Sequence, residues 1–239
     1  MSEPVRLNKY LSAAGVCSRR EADRLIGEGR VLVDGVPAQM GMLVTDENQI
    51  VCDGVPVVPE EEIILLAVYK PQGVVCTTVR HRGETNIVDM VGYPKRIYPV
   101  GRLDKNSEGL ILMTNYGEIA DEILRGSNRH EKEYEVRIDR PVTLEFLNAM
   151  RSGVPILDTV TRPCEVHKTG RDSFRIILTQ GLNRQIRRMC EALGCRVVHL
   201  KRVRVVNIRL GNLAPGEYRP VEGAEREALF AALKKNAGR

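Results

Sequence analysis

A loop between two strand-like runs holds the strongest candidate for a catalytic carboxylate. The runs IYPV and LILMT read as strands, and Gly101 and Gly109 bracket the segment between them. The loop carries several charged side chains: Arg102, Asp104, Lys105 and Glu108. Catalytic groups are often displayed on loops held by rigid strands, so Asp104 is a candidate for base or nucleophile chemistry. An aspartate that merely supports a turn is the alternative.

The segment GLNRQIRRMCEALG predicts a helix with two different faces. At 100° per residue, its apolar side chains fall within about 100° of arc. They are Leu182, Ile186, Met189, Cys190 and Leu193. Arg184, Arg187 and Arg188 lie on the opposite side, pointing outward. Phosphate oxygens and one enzyme carboxylate are natural partners for three clustered guanidiniums. A solvated helix face is the alternative.

Tyr134 is the candidate for stacking on a nucleic-acid base. In the strand-like run KEYEV it alternates with charged residues, so its ring faces either a cleft or the core. With three Phe, seven Tyr and no Trp in the chain, base stacking can fall to few side chains.

The charge distribution points to a polyanionic partner. The net charge is +5, yet from Gln180 to Arg209 eight Lys or Arg, including Lys201 and Arg202, stand against one acid. Such a field attracts polyanions more strongly than the whole-chain net charge suggests, and a solvated basic surface is the alternative. Residues 1–50 hold six basic and seven acidic side chains. RNA binding there would depend on a few helix cations: Lys9, Arg19, Arg20 and Arg24.

Composition and missing motifs exclude several other classes. Apolar residues make up 43% of 239, enough for a real core, and no run is long enough for a membrane span. The N-terminal stretch lacks a signal-peptide apolar region, and six scattered cysteines without C-x-x-C fit reduced thiols. We expect a cytoplasmic protein. Phosphate-binding loops, dinucleotide fingerprints and metal-ligand spacings are missing, so no cofactor and no metal are expected.

The chain reads as two domains of an α+β protein. Residues 1–52 predict two helices, with a capping box at Ser18 and Glu21, and a small sheet with a hairpin at Asp34-Gly35. The range 53–62 predicts a linker and 63–222 a mostly antiparallel sheet with flanking helices. The range 223–239 predicts a C-terminal helix and tail.

Strand-like and helical runs alternate irregularly through the larger domain. The runs predicted as strands are IILLAVYK, VVCTT, RIYPV, LILMT, KEYEVRI, FRIILT, RVVHL and RVVNIRL. Helices are predicted around 117–124, 143–150 and 183–193.

Several of these segments together resemble the RsuA-type family of bacterial ribosomal RNA pseudouridine synthases. RLNKYLSAAGVCSRREADRLIGEGRVLVDG is similar to the S4-type RNA-binding module of that family, and GRLDKNSEGLILMTN to its catalytic-aspartate motif. KEY and NRQIRRM resemble its tyrosine and late basic motifs. The resemblance implies a pseudouridine synthase in which Asp104, Tyr134 and Arg187 are catalytic. The segment 181–185, GLNRQ, departs from the common G-R-x-H-Q form and favours the F-type branch, which acts on the large subunit.

The resemblance also implies a mechanism and a partner. Asp104 would attack the sugar, attack the base or remove the C2′ proton, while Arg187 keeps it ionised and oriented. Tyr134 would stack on the uracil. Several cations would hold phosphates while the uridine is flipped out: Arg102, Lys105, Arg184 and Arg188. The expected partner is RNA, 23S rRNA first with tRNA as an alternative, and not a membrane; we expect a monomer.

Two other functions compete with this interpretation. A non-catalytic RNA-binding or ribosome-assembly factor would use the same basic surface and be indifferent to Asp104. A nuclease or glycosidase would pair Asp104 with Glu108 across a sugar.

Overall fold

The chain divides into two compact units. The computed structural model describes residues 3–60, 62–79 and 82–236. One unit holds residues 1–63 with 94–96 and 115–117, and the other holds the remainder. Glu61 and residues 237–239, at the edges of the predicted linker and tail, lie outside the described residues.

The smaller unit contains two helices and short strands around its own core. Helix α1 spans Leu7–Ala13 and α2 spans Arg19–Gly27. The Ser18 hydroxyl accepts a hydrogen bond from the Glu21 backbone N–H, as the capping-box spacing predicts. The buried face of α2 consists of the predicted residues: Ala22, Leu25 and Ile26.

Two tight hairpins build most of the small sheet. Its strands, in the order β3-β2-β5-β6, are β2 (Val31–Val33), β3 (Val36–Pro37), β5 (Ile50–Cys52) and β6 (Val55–Pro56). Asp34 and Gly35 have positive φ angles of 52° and 81°, the turn that an Asp-Gly pair favours. Asp53 and Gly54 repeat this geometry, so β6 lies inside the range predicted as a linker. Strands β1 (Val5–Arg6) and β4 (Leu43–Val44) pair separately.

A mixed sheet of nine described strands forms the centre of the larger unit. Its main path runs β13-β14-β10-β15-β9-β7-β17, with β8 on β9 and β16 on β15. The strands are β7 (Leu65–Lys70), β8 (Tyr98–Val100), β9 (Glu108–Thr114), β10 (Lys132–Ile138), β13 (Glu165–Lys168), β14 (Ser173–Leu178), β15 (Val197–Val205), β16 (Ile208–Arg209) and β17 (Tyr218–Pro220). The pair β9–β15 is parallel and the other pairs are antiparallel, as expected. A separate hairpin joins β11 (Pro155–Ile156) to β12 (Thr159–Val160).

Most of the predicted elements of this unit are present. Its helices are α3 (Ile87–Val91), α4 (Gly117–Leu124), α5 (Leu144–Ser152), α6 (Gln185–Ala192) and α7 (Gly223–Asn236). The prediction of a strand at VVCTT is wrong, because Val75 makes only an isolated bridge to Asn86 there. The run RVVNIRL is not a separate strand, since β15 continues through Val205 before turning into β16. No described helix combines the length and apolar character required to cross a bilayer.

Strand register decides which side chains can meet. Gly109 pairs with Arg202 and Arg202 with Tyr134, so these three residues share one face of the sheet. Glu108 pairs with Lys201 on the opposite face. Helices α5 and α6 pack against the sheet through a common buried cluster that includes Leu147, Met150, Ile186, Met189, Val136 and Leu200.

Candidate active site

A buried lysine binds the backbone of the Asp104 loop. Lys70, at the end of β7, is fully buried, and its Nζ donates hydrogen bonds to the carbonyl oxygens of Ser107 at 2.7 Å and Pro71 at 2.8 Å. The Ser107 N–H donates to the Asp104 carbonyl oxygen at 3.0 Å, which closes a turn. Burial lowers the pKa of Lys70, and the nearby Asp104 charge opposes that shift. The Lys70 ammonium group and the turn at Ser107 therefore fix the backbone of the loop without using the Asp104 side chain.

A cysteine thiol holds the residue before the carboxylate. The Leu103 N–H donates to Cys76 Sγ at 3.3 Å, and both side chains are buried. The Asp104 side chain remains 33% exposed, so a ligand can reach it.

Two guanidiniums converge on this carboxylate. Arg187 Nε lies 3.6 Å and Arg184 Nη1 3.7 Å from Asp104 Oδ2. The Arg187 side chain is 12% exposed, so the prediction that it points outward is wrong. Its Nη2 donates to the Asn106 carbonyl oxygen at 3.0 Å and to Ser107 Oγ at 3.1 Å. One arginine thus binds the backbone of the Asp104 loop as well as facing its carboxylate.

The Nε of Arg187 is a buried donor without a hydrogen-bond acceptor among the described residues. It faces Asp104 Oδ2 at ion-pair distance, somewhat beyond hydrogen-bond length. Burial lowers the pKa of Arg187, and the Asp104 carboxylate opposes the shift. Arg187 is thus a largely buried cation whose Nε faces the Asp104 carboxylate.

The turn before α6 orients Arg184. Arg184 precedes the first helical residue in a left-handed conformation, with φ 49° and ψ 35°, which is uncommon for a residue with a side chain. Buried Gln185 stabilises the turn, since its Oε1 accepts from the Leu182 N–H at 3.1 Å. Arg188 instead donates to the carbonyl and side-chain oxygens of Asn183. Two of the three predicted arginines therefore face Asp104, and the third does not.

Tyr134 lines a cleft together with Asp104. The cleft is open to solvent and provides a cavity of about 90 Å³. Apolar side chains of Leu178, Ile186 and Leu200 form part of its wall. This arrangement places an aromatic ring and several apolar side chains beside Asp104.

The same cleft continues into a wider groove with a strongly basic lining. Its basic side chains are Arg102, Arg125, Lys132, Arg162, Arg184 and Arg202, and among the described residues Asp104 is its one acidic lining residue. The sequence motifs do not include Arg125 or Arg162, and Lys132 opens the KEY motif without being predicted to bind RNA. Arg202 is only 4% exposed and its Nε donates to the Leu110 carbonyl oxygen at 2.7 Å. It forms the floor of the groove rather than the surface phosphate contact that the sequence predicts.

Two other predicted RNA-binding lysines lie apart from the groove. Lys105 Nζ pairs with Glu84 at 2.8 Å and its side chain is half-exposed. Lys201 Nζ lies 5.2 Å from the centre of the Tyr69 ring, on the opposite face of the sheet. Strand alternation turns Lys201 away from the face that carries Arg202, so Lys201 does not join Asp104 in the groove.

Within the smaller unit, the predicted helix cations differ in availability. Arg24 forms ion pairs with Glu21 and Glu28 on its own helix, which reduces its value as a phosphate ligand. Arg19 and Arg20 are exposed at the start of α2, and Lys9 is half-buried on α1.

Glu108 does not join Asp104 in the cleft. It begins β9 rather than lying on the loop, and its Oε1 accepts from the Tyr69 hydroxyl at 2.8 Å. His199 Nε2 lies 3.1 Å from the same oxygen. Burial, reinforced by Glu108, raises the pKa of Tyr69 to about 12. These contacts lie on the opposite face of the sheet, so the paired-carboxylate alternative is wrong.

Comparison with known proteins identifies the family to which this site belongs. Residues 64–192 match the RNA pseudouridylate synthase family and residues 5–51 match the S4 domain. The chain belongs to the RNA pseudouridine synthase family. The expected resemblance to that family, including its F-type branch, is confirmed by the relatives described next.

Similarity to individual pseudouridine synthases extends over nearly the whole chain. The dual-specificity RNA pseudouridine synthase RluF of Escherichia coli K12 is 48% identical over 236 residues, covering 98% of this chain and 81% of its own. The ribosomal large subunit pseudouridine synthase B of Bacillus subtilis 168 is 35% identical, covering 95% and 96%. A crystal structure of pseudouridylate synthase superposes with a TM-score of 0.70 at 27% identity, covering 94% and 99%. The α+β fold class is thereby confirmed.

Proposed function

We propose that this pseudouridine synthase converts a uridine of 23S rRNA to pseudouridine in the cleft at Asp104. The observation that carries the proposal is the convergence of Arg184 and Arg187 on the Asp104 carboxylate beside the Tyr134 ring. Asp104, Arg187 and Tyr134 are the proposed catalytic residues. The enzyme uses no cofactor and acts as a monomer in the cytoplasm, where ribosomal RNA is modified.

The reaction is an isomerisation and needs no external atoms. The glycosidic bond between C1′ and N1 breaks, the uracil turns, and C1′ bonds to C5, whose proton is lost as N1 gains one. Asp104 supplies the ionised carboxylate that acts at the sugar or base. Arg187 directs that carboxylate into the cleft, because it faces Asp104 and also donates hydrogen bonds to Asn106 and Ser107 of the same loop.

Tyr134 and its apolar neighbours would hold the detached base. A uridine flipped from its strand loses stacking, at a cost of a few kcal/mol, and an aromatic platform restores part of it. Tyr134, Leu178 and Leu200 line the same cleft as Asp104. The free uracil can then turn without leaving the site.

Cations around the cleft would bind the RNA backbone. Arg102 and Arg184 line its opening, and Lys105 and Arg188 lie on the adjacent loop and helix. In the S4 module, Lys9, Arg19 and Arg20 provide a second contact, with a smaller contribution from Arg24. We propose domain limits of 1–52 and 63–222, with 223–239 as a C-terminal helix and tail. The segment 53–62 between the two domains begins with β6, which pairs with the small sheet.

The names of two relatives guide the choice of substrate. One is a ribosomal large subunit enzyme and another is a dual-specificity RNA enzyme. We therefore take 23S rRNA as the main substrate and tRNA as the candidate for a second one.

Mapping of pseudouridines tests the proposal directly. Purified protein is incubated with unmodified 23S rRNA, 16S rRNA and bulk tRNA, and pseudouridines are marked with a carbodiimide that blocks reverse transcription. We expect one or a few new stops in 23S rRNA that are missing with Asp104→Asn. New stops confined to 16S rRNA would overturn the substrate assignment, and RNA binding without any new stop would favour the non-catalytic alternative.

A further inference from the structure

Beyond the cleft at Asp104, the wider groove is lined by three cations that the proposed chemistry does not use. Arg125 follows α4, Lys132 begins β10, and Arg162 follows β12. We call these three residues the Arg162 arm. They line the same groove as Asp104 and Tyr134.

The arm is built around a fixed arginine. Arg162 Nη1 donates to the Gly126 carbonyl oxygen at 3.0 Å, and its backbone N–H donates to Gln180 Oε1 at 2.5 Å. Arg162 is exposed, so the rest of its guanidinium is open to a ligand. Because one nitrogen is already oriented, binding an anion costs less side-chain entropy than it would for a free arginine.

The arm has few carboxylates to neutralise it. Arg125 lies 3.6 Å from Glu122 and is 59% exposed. Lys132 Nζ has no carboxylate within 4 Å among the residues that the structure describes, and its contact is the His130 carbonyl oxygen at 3.4 Å. Asp104, the acidic residue of the groove lining, already faces Arg184 and Arg187.

The chemistry of the groove indicates a phosphate ligand rather than a base. Tyr134 is the one aromatic side chain among the described residues that line the groove. Without a second stacking platform, a neighbouring base has no face to bind, whereas three cations suit phosphodiester oxygens. Such contacts position a strand without reading its sequence.

We propose that the Arg162 arm binds backbone phosphates of the RNA on one side of the flipped uridine, fixing the direction in which the strand leaves the active site. This inference rests on the proposed function. It predicts that the arm contributes to substrate binding and not to the chemical step. It also predicts that the arm lowers KM only when the RNA substrate extends to that side of the uridine.

Charge-removing substitutions test the binding role. Arg162→Gln and Arg125→Gln are compared with Arg171→Gln, a substitution at an exposed arginine of the same unit that lines no part of the groove. We expect each arm variant to raise KM roughly tenfold, about one charge-assisted hydrogen bond, with kcat within about twofold of wild type. The slope of log KM against log salt should fall by about 0.7 for each phosphate that is no longer bound. Arg171→Gln should match wild type.

Substrate truncation then tests the direction. Oligoribonucleotides containing the mapped uridine are shortened on either the 5′ or the 3′ side, and the ratio of variant to wild-type KM is measured for each. We expect the ratio for Arg162→Gln to fall to about one for truncation on one side only. The proposed role of the Arg162 arm is contradicted if neither truncation changes the ratio. It is also contradicted if variant and wild type have the same KM on the full substrate.

The inference and the proposed function fail differently in this experiment. If wild type makes pseudouridine but both arm variants retain the wild-type KM and salt slope, the phosphate-binding role of the arm is wrong. The proposed function is then unaffected. If wild type makes none on any RNA, the proposed function fails and the arm with it. Thermal unfolding of each variant shows whether an effect on KM reflects impaired folding.

Discussion

Arg187 contacts both parts of the loop that displays Asp104: its Nε lies 3.6 Å from the Asp104 carboxylate, and its Nη2 donates to the Asn106 carbonyl and the Ser107 hydroxyl. A single guanidinium on α6 thus contacts both the carboxylate and the backbone of the loop that carries it. Since α6 itself packs on the sheet through Ile186 and Met189, the distance between loop and helix is set by the core.

Replacing Arg187 with lysine should separate the effect of its positive charge from the effect of the guanidinium's hydrogen-bond geometry. Arg187→Lys keeps a cation near Asp104 but loses the planar fork that binds the loop. We expect kcat to fall roughly a hundredfold, with KM changed by less than about threefold. Arg188→Lys is the matched control, because Arg188 binds Asn183 and not Asp104. Equal kcat values for the two variants would show that the fork has no positioning role.

Two substitutions at Tyr134 should distinguish its ring from its hydroxyl. Tyr134→Phe retains the stacking surface, so we expect a near-normal KM and a lower kcat if the hydroxyl assists proton transfer. Tyr134→Leu removes the ring, and KM should rise roughly tenfold, the lower range for one base–aromatic stack. Steady-state kinetics on an RNA fragment provide the measurement. A normal KM for Tyr134→Leu would remove Tyr134 from the base-binding role.

RNA affinity should depend on pH through Lys132. Burial, with a smaller effect from Arg202, lowers the pKa of Lys132 to about 8. A bound phosphate favours the charged form, so wild type should lose affinity as the pH rises through 8, where Lys132 gives up its proton in the unbound protein. Lys132→Arg stays charged and should show a flatter profile. Kd values of Asp104→Asn and of Asp104→Asn with Lys132→Arg, measured from about pH 7 to about pH 9, check this; parallel profiles would contradict it.

The same pKa shift has a consequence for stability. The folded-state pKa of Lys132 lies below its unfolded value, so the unfolded chain binds more protons between the two values. The contribution of Lys132 to the free energy of unfolding should therefore increase as the pH rises from about 8 towards about 10. Substitution to Met should abolish this increase, as measured by urea unfolding at several pH values. An identical pH dependence in Lys132→Met would show that Lys132 titrates normally.

Gly109 should tolerate no side chain. Its φ is +108°, and a Cβ there would lie 2.2 Å from the Arg202 carbonyl oxygen and 2.6 Å from the Arg202 nitrogen. Gly109→Ala must therefore break the pairing between β9 and β15 beneath the cleft, and we expect a loss of at least about 4 kcal/mol of stability. Gly27→Ala, at a helical position with open space, should be neutral or slightly stabilising. A normal melting temperature for Gly109→Ala would contradict the strand pairing.

Local signals in the sequence predict much of the fold. The capping box at Ser18, the Asp34-Gly35 hairpin and the apolar stripe of α6 each depend on neighbouring residues, and each is present. The five-residue helix α3 is not predicted because it is too short to show a period. The second Asp-Gly pair, Asp53-Gly54, carries the same hairpin signal, but the prolines and acids that follow it favour a linker.

The composition of the cleft is harder to predict, since it depends on which strand faces meet. Asp104, Tyr134 and Arg187 are recognisable from their motifs. The density of basic residues along the chain does not reveal strand alternation, so it does not show that Lys201 lies on the sheet face opposite Arg202. The Arg162 arm joins residues from three distant segments, and no local pattern links them.

The rate of pseudouridine formation by Asp104→Asn, measured in a single turnover on the mapped RNA fragment, tests the central claim most directly. The substitution keeps the size of the side chain and removes its charge. We predict a rate at least roughly a thousandfold below wild type, with the Kd for the fragment within about threefold. A rate equal to that of wild type would show that the carboxylate facing Arg184 and Arg187 is not the catalytic group.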